Sequence, residues 1–473
     1  LVIEVIFTRR SFNKVGFSFW SIVQTAHSSE IFCTFVISFL TTMAKGNGKS
    51  PTSGNGQEKP QPAYFKSVTI EDVKCFKGKH TIDLSDGNGK PAQWTVILGN
   101  NNTGKTTILK CLAGLAPMGF SFYISVGESN AGLSVKFGSE DIEVGGITAT
   151  AAIETLNGGS SQSEGYLWGD HTIEGSIFPH PSIKENLIIY SYGASRKMSK
   201  KSLVESQSED IHANLFENAD LANVEDWLLN LFLAEKLGQV EAKTPLEIAK
   251  NLLSSGLLPD VMEVNLNSRE AGAGFINFVE FFTDFGWIRL RDLGYGYQTM
   301  IAWVLDLVKR MVERYPNSSN PLAEPAIVLV DEIDLHLHPD WQRKIIAHLT
   351  KYFPNTQFIV TAHSPLVVQS AEEVNIVILK KEGESVHIEQ PKIRSFRGWT
   401  VEEILTDLMD LEGQTMSQTY LGLMEQFDDA LDSDDFEKAE NAFQKLDKIL
   451  HPVSHQRKLL QLQMTSLSPA NAV

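Results

Sequence analysis

With 473 residues the chain has room for two or three domains, and its 42% hydrophobic and 21% charged content is that of an ordinary soluble globular protein. A formal net charge of −17 argues against wholesale coating of nucleic acid or anionic membrane and leaves only a local basic patch for such contacts. Cys33, Cys75 and Cys111 show no CxxC spacing, which argues against a disulfide framework or a zinc site and fits a reducing, cytoplasmic setting.

Residues 1–42 differ from the rest. They open on Leu1, are rich in Phe, Ile and Ser, and precede Met43, which we read as the true start with the earlier stretch an upstream in-frame translation. The alternative is a signal peptide, since Arg9, Arg10 and Lys14 precede the apolar run Ile31 to Leu40. That run would span only about 15 Å as a helix, half the hydrocarbon core, so no membrane span is expected. Ala44 to Pro62 is rich in Gly, Pro, Ser and Lys and reads as a disordered lead-in.

From Phe65 the pattern predicts a strand, a turn, a second strand ending at Leu84, a loop from Asp86 to Gly89, and an apolar strand from Trp94 to Leu98. That strand feeds GNNNTGKTT, in which Gly99, Asn100, Asn101, Asn102, Thr103, Gly104, Lys105, Thr106 and Thr107 form a glycine-bounded loop with a helix opening at Lys105. Gly99 and Gly104 free the backbone to wrap phosphate oxygens at a helix N-terminus. Lys105 would place a point charge on the β- and γ-phosphates of ATP, and the Thr106 hydroxyl would hold Mg²⁺. Alternation between Val135 and Leu156 suggests antiparallel strands, with Gly158 to Gly165 a flexible loop. Arg196, Lys197, Lys200 and Lys201 form a basic cluster, either a contact to DNA backbone or a subunit, or a solvated loop.

Residues 202–258 read as helical, with Asn223 capping a helix that places Val224, Trp227, Leu228, Leu231 and Phe232 on one face. Asp260 to Leu290 is strand-rich, and a helix is expected from Gln298 to Tyr315 with Met300, Ile301, Val304, Leu305, Val308 and Met311 on its core face. LRDLGYGYQTM sets Gly294, Gly296 and Gln298 at the start of that helix, a second backbone anion site. One phosphate does not need two such loops from one molecule, so we expect a homodimer or higher oligomer in which this loop closes over the partner's nucleotide.

The apolar run Ala326 to Val330 ends in Asp331 and Glu332, as a buried parallel strand delivering carboxylates to the ligand edge of a sheet should. Asp331 would position Mg²⁺ and Glu332 would act as general base on water, a role that contributes about 10²- to 10⁴-fold. QFIVTAH is a second such strand, and His363 at its end can reach a γ-phosphate oxygen. His336 and His338 read as a turn at the dimer interface, His451 and His455 as a helix surface, and Asp432 to Asp435 as a helix cap or solvated turn rather than a metal site. Helices are expected from Val401 onward.

Phosphate loop, glycine-rich signature, paired carboxylates and strand-end histidine, in this order, resemble the ABC-type ATPase head of the SMC, RecF and OLD group from about Phe65 to Ile393. The resemblance implies an α/β fold: a two-lobed P-loop NTPase of ABC-ATPase head type with an antiparallel β subdomain, a helical insertion and a C-terminal helical tail. The blocks would be ATPase lobe I at 63–201, the insertion at 202–258, lobe II at 259–393 and a partner-binding region at 394–473. Gly294 stands where the family's signature has Ser, and no family Q-loop glutamine is evident. Long heptads and an appended Toprim nuclease are both missing. DEIDLHLHPDWQ, YGASRK, LGYGYQ and GWTVEEIL are similar to stand-alone ATPases of bacterial anti-phage systems of the Septu type. That implies control of a separate HNH nuclease, with no intrinsic nuclease in this chain. A non-catalytic ATP sensor and a RecF-like repair ATPase are the rival readings.

Overall fold

The computed structural model describes residues 62–114, 147–155, 160–168, 172–177, 187–203, 211–271, 274–411 and 416–467. The expectations for residues 1–61, for Val135 to Gly146, for Leu156 and for Gly158 and Gly159 lie outside them. A six-stranded sheet carries the motifs. It is built from β3 (Trp94–Gly99), β7 (Ile189–Tyr192), β11 (Ala326–Val330), β12 (Thr356–Thr361), β13 (Asn375–Glu382) and β14 (Ser385–Glu389), in the order β14-β13-β3-β12-β11-β7. All neighbours pair in parallel except the edge strand β14.

The apolar runs of β3, β11 and β12 are buried throughout because both faces of the sheet are covered. Side chains alternate between faces, so the runs serve two cores. Val96, Leu98, Val328, Val330, Phe358 and Val360 join one, while Ile97, Ile327, Leu329, Ile359, Val377 and Leu379 join the other. The first core draws residues from Trp94 to Met409 and so spans the blocks expected at 63–201, 202–258 and 259–393.

Strand order, more than any single residue, positions the site. β12 lies between β3 and β11, with Ile97 opposite Thr361 and Val330 opposite Val360. The carboxyl ends of three strands, bearing the glycine loop, the carboxylate pair and His363, therefore stand side by side where α/β sheets bind ligands.

A second, antiparallel sheet has the order β2-β1-β4-β5-β6, from β1 (Ala63–Val73), β2 (Phe76–Asp83), β4 (Ile147–Thr155), β5 (Ser160–Trp168) and β6 (Thr172–Ile177). Here the expectation of a loop through Gly165 is corrected: Ser160 to Gly165 lies in β5, paired with β4 on one side and β6 on the other. Its Ser and Gly content masks a strand whose ladder is completed by both neighbours, a context effect that outweighs β-propensity. A third sheet, β8 (Glu263–Ala271), β9 (Gly274–Thr283) and β10 (Gly286–Arg289), is an antiparallel meander.

The helix after the glycine loop, α1, runs Lys105–Gly114, and a short α2 spans Ala213–Glu217. Helix α3, Val224–Lys236, begins where expected, the Asn223 side chain accepting from the Asp226 amide. α4 covers Lys243–Leu252. α5 runs Tyr295–Arg314, three residues earlier than the glycines suggested, because Gly294 is its cap and its carbonyl accepts from the Tyr297 and Gln298 amides.

At the C-terminal end Gln418–Asp432, Phe436–Ile449 and His455–Leu467 form helices around a separate core that includes Phe427, Ala439, Leu446 and Leu460. Asp435 caps the second of these, accepting from the Lys438 amide. His451 and His455 do not share a helix surface. The helix stops at Ile449, Pro452 follows, and His451 lies in the turn with Nδ1 accepting from the Val453 amide. No helix among the described residues is long and apolar enough to cross a membrane.

Candidate functional site

The glycine loop folds about its own lysine. Lys105 Nζ donates to the carbonyls of Gly99 at 2.8 Å and Asn100 at 2.9 Å, and Thr103 Oγ1 donates to the same Asn100 carbonyl at 2.8 Å. Both glycines are forced by packing: a Cβ on Gly99 would stand 2.7 Å from the Leu379 carbonyl oxygen, and one on Gly104, at φ +89°, would stand 2.6 Å from the Phe76 ring. Asn102 takes a left-handed φ of 65° between them, while Asn100 and Asn101 are exposed. Burial lowers the Lys105 pKa, and Asp331, Glu332 and Asp334 oppose that shift through their charge.

One chain of hydrogen bonds joins the three strand ends. Thr106 Oγ1 donates to Asp331 Oδ2 at 2.7 Å, and Thr361 Oγ1 donates to Asp331 Oδ1 at 2.6 Å. Thr361 Oγ1 also accepts from the Glu332 amide at 2.7 Å. Asp331 is thus held at both oxygens, buried, between the phosphate loop and β12. Glu332 itself sits at φ 49°, a conformation that costs a non-glycine residue about 1–2 kcal/mol. His363 is exposed, its amide donating to both oxygens of the buried Asp334 at 3.2 and 3.0 Å. Ser364 Oγ donates to Gln342 Oε1 at 2.6 Å, and Gln342 Nε2 in turn reaches the Leu337 carbonyl at 2.9 Å, bracing the turn that follows the carboxylates.

Arg196 corrects an expectation. Read with Lys197, Lys200 and Lys201 as either a contact to DNA or another subunit or part of a solvated loop, it is instead 3% exposed. Its guanidinium donates to the carbonyls of Gly193 at 3.0 Å, Glu332 at 2.8 Å, and Asp331. Burial pulls its pKa down to about 10, against the pull of the carboxylates of Asp331, Asp334 and Glu332. Lys197, Lys200 and Lys201 are exposed.

The signature residues are engaged with their own chain. Gln298 Nε2 donates to the carbonyls of Leu293 at 2.7 Å and Arg291 at 3.1 Å, tying the loop before α5 to its first turn. Gly296 packs against the turn after the carboxylates, where a Cβ would meet the His336 carbonyl oxygen at 2.3 Å. Gly294 has room: a Cβ there would find its nearest neighbour, Tyr297 Cδ2, at 3.7 Å. Among the described residues, Gly294, Gly296 and Gln298 make no hydrogen bond to the loop from Gly99 to Thr107. His336, at φ 65°, lies against the Tyr295 ring, and His338 caps a short helix at Pro339–Gln342, so both histidines serve the turn.

The structure therefore brings together Lys105, Thr106, Asp331, Glu332 and the His363 backbone. Thr361, Asp334, Arg196 and Gln342 belong to the same site and escaped the sequence reading. Thr361 could have been found as the one hydroxyl closing an apolar strand; Arg196 carried no signal that set it apart from its lysine neighbours. The Thr106 hydroxyl and Asp331 carboxylate, in contact beside a buried ammonium, are hard oxygen donors of the kind Mg²⁺ takes.

Residues 191–369 match a family model of an AAA domain whose description links it to the AbiEii toxin of type IV TA systems, and residues 67–241 match a second AAA-domain model. Septu protein PtuA of Bacillus thuringiensis is 38% identical over 187 residues, 38% of this chain and 47% of that protein. Septu protein PtuA of Bacillus mycoides strain KBAB4 is 30% identical over 352 residues, 72% of this chain and 45% of that protein. The chain thus spans just under half the length of these curated relatives. Among solved structures, an SMC head bound to the C-terminal winged-helix domain of ScpA is 14% identical with a TM-score of 0.44, covering 69% of this chain and 97% of that one. By strand order and motif order the chain has a P-loop ATPase-like α/β fold, and its sequence is similar to the PtuA proteins of Septu.

Proposed function

We propose that this chain binds and hydrolyses ATP with Mg²⁺, and that it is the ATPase subunit of an anti-phage defence complex controlling a separate HNH-type DNA nuclease. The observation that carries the ATPase reading is the hydrogen-bonded run from Thr106 through Asp331 and Thr361 to Glu332, which ties the phosphate loop to the carboxylates across three strands. Lys105 binds the β- and γ-phosphates, Thr106 and Asp331 hold the metal, Glu332 takes the proton of the attacking water, and His363 donates to a γ-phosphate oxygen. Mg²⁺, when bound, neutralises charge that develops on the transferring phosphoryl group.

Gly294, Gly296 and Gln298 close over the nucleotide of a second copy. The defence role is drawn from the PtuA relatives. The C-terminal helices, which expose Leu459 at 54% and Leu462 at 67%, offer an apolar surface for the nuclease partner.

Lys105→Ala should abolish ATP binding. Glu332→Gln should keep binding and slow turnover by about 100-fold or more. Hydrolysis by Glu332→Gln at the parental rate would remove Glu332 from the role of base. A second reading, a non-catalytic sensor that ATP holds in an oligomer, draws on Gly294, which lacks the signature hydroxyl. No ATP hydrolysis above background in the parent chain, with ATP-dependent assembly retained, would favour it.

A further inference from the structure

We propose that Arg196 is the positioning residue for the carboxylate pair: its guanidinium grips two successive backbone carbonyls, those of Asp331 and Glu332, and so holds Glu332 in its left-handed pose. The catalytic consequence rests on the ATPase reading above; the positioning itself does not.

The loop that delivers Arg196 is rigidly braced. It leaves the end of β7, the strand beside β11, and its first residue, Gly193, lies so close to α2 that a Cβ would stand 2.5 Å from the Asn214 carbonyl oxygen. The Gly193 amide donates to Asn214 Oδ1 at 2.7 Å, and Asn214 Nδ2 donates to the Ser195 carbonyl at 2.9 Å. From this clamp the side chain reaches carbonyls 135 and 136 residues away in sequence. One planar fork spans them, with Nη1 on Asp331 and Nη2 on Glu332.

At this point of the chain the backbone leaves the extended path of β11 and turns to a positive φ at Glu332. Such a pose persists only where the surroundings over-determine it. Thr361 Oγ1 accepts the Glu332 amide from one side and Arg196 takes the two carbonyls from the other, while within the turn the Leu335 amide donates to the Glu332 carbonyl at 3.0 Å and the Ile333 amide to the Thr361 carbonyl at 2.9 Å. The hydrogen bonds of its terminal nitrogens among the described residues go to backbone carbonyls, so its action on Glu332 runs through the main chain. A lysine would bring the charge without the fork.

Arg196→Gln, with Arg196→Lys as the companion variant, tests this by two independent readouts. Hydrogen exchange should quicken by about tenfold or more in the peptide from Val330 to Asp334 and stay unchanged from Gly99 to Thr107. ATP affinity should remain within about twofold of the parent while kcat falls about 10- to 100-fold, since a displaced catalytic group loses rate rather than binding. Should Arg196→Gln fail to fold, Arg196→Lys is read in the same way. Exchange at Val330 to Asp334 unchanged, or kcat within about twofold of the parent in an active ATPase, would overturn the assignment. If the parent chain hydrolyses no ATP, the ATPase reading fails while the exchange measurement still decides the positioning.

Discussion

At the scale of single residues, the signature glycines divide into one that packing demands and one that it does not. Gly296 is pressed onto the His336 carbonyl, so Gly296→Ala overpacks the contact between α5 and the turn after the carboxylates and should destabilise by about 1–3 kcal/mol. Gly294→Ser restores a favoured capping hydroxyl in open space and should be neutral or stabilising by a few tenths of a kcal/mol, roughly. Thermal unfolding of the two variants checks both. Equal midpoints would show that the Gly296 contact is not what holds the loop.

His212, also deeply placed, supplies a pH dependence. Burial, then the nearby Arg310 charge, lowers its pKa to about 3, while Nδ1 lies 2.8 Å from Ser191 Oγ. Its folded pKa is depressed below the ordinary value, so the unfolded chain binds the extra proton first. The contribution is complete above about pH 6.5 and lost as pH falls toward 3, amounting to about 2 kcal/mol by pH 5. Denaturant unfolding at pH 7 and pH 5 should show a smaller drop in His212→Gln than in the parent; identical drops would exclude this source.

At the scale of elements, local signals were read well and distant pairings poorly. The apolar strands ending in GNNNTGKTT, Asp331 and His363 declare themselves because a strand buried on both faces leaves a continuous apolar run. Asn223 marks the start of α3 for an equally local reason, an amide accepted three residues on at 3.1 Å. Asn223→Ala should lower stability by about 1 kcal/mol, measured by denaturant unfolding, and a variant as stable as the parent would show that the cap is redundant there.

The remainder was hidden because composition does not carry partners. β5 looked like a loop until its two neighbours completed its ladder. Arg196 looked like a surface cation until the fold brought it to carbonyls more than a hundred residues away. The start of α5 falls three residues before Gln298 because Gly294 serves as the cap and Gly296 lies inside the first turn.

At the scale of the whole molecule, the withdrawal of Arg196 leaves Lys197, Lys200 and Lys201 as the exposed part of the basic cluster on a chain whose net charge is −17. Any contact to DNA through this loop is accordingly local and salt-sensitive. Assembly matters more to the account. Phosphate loop and carboxylates form one connected site, whereas Gly294, Gly296 and Gln298 make no hydrogen bond to that loop among the described residues, so the proposed function brings a signature to the nucleotide from a second copy. The most direct measurement is the solution mass of Glu332→Gln with and without Mg²⁺ and saturating ATP. The account predicts an ATP-dependent doubling of mass, or of whatever assembly exists beforehand, that Lys105→Ala abolishes. A mass unchanged by ATP in a protein shown to be nucleotide-saturated would contradict it.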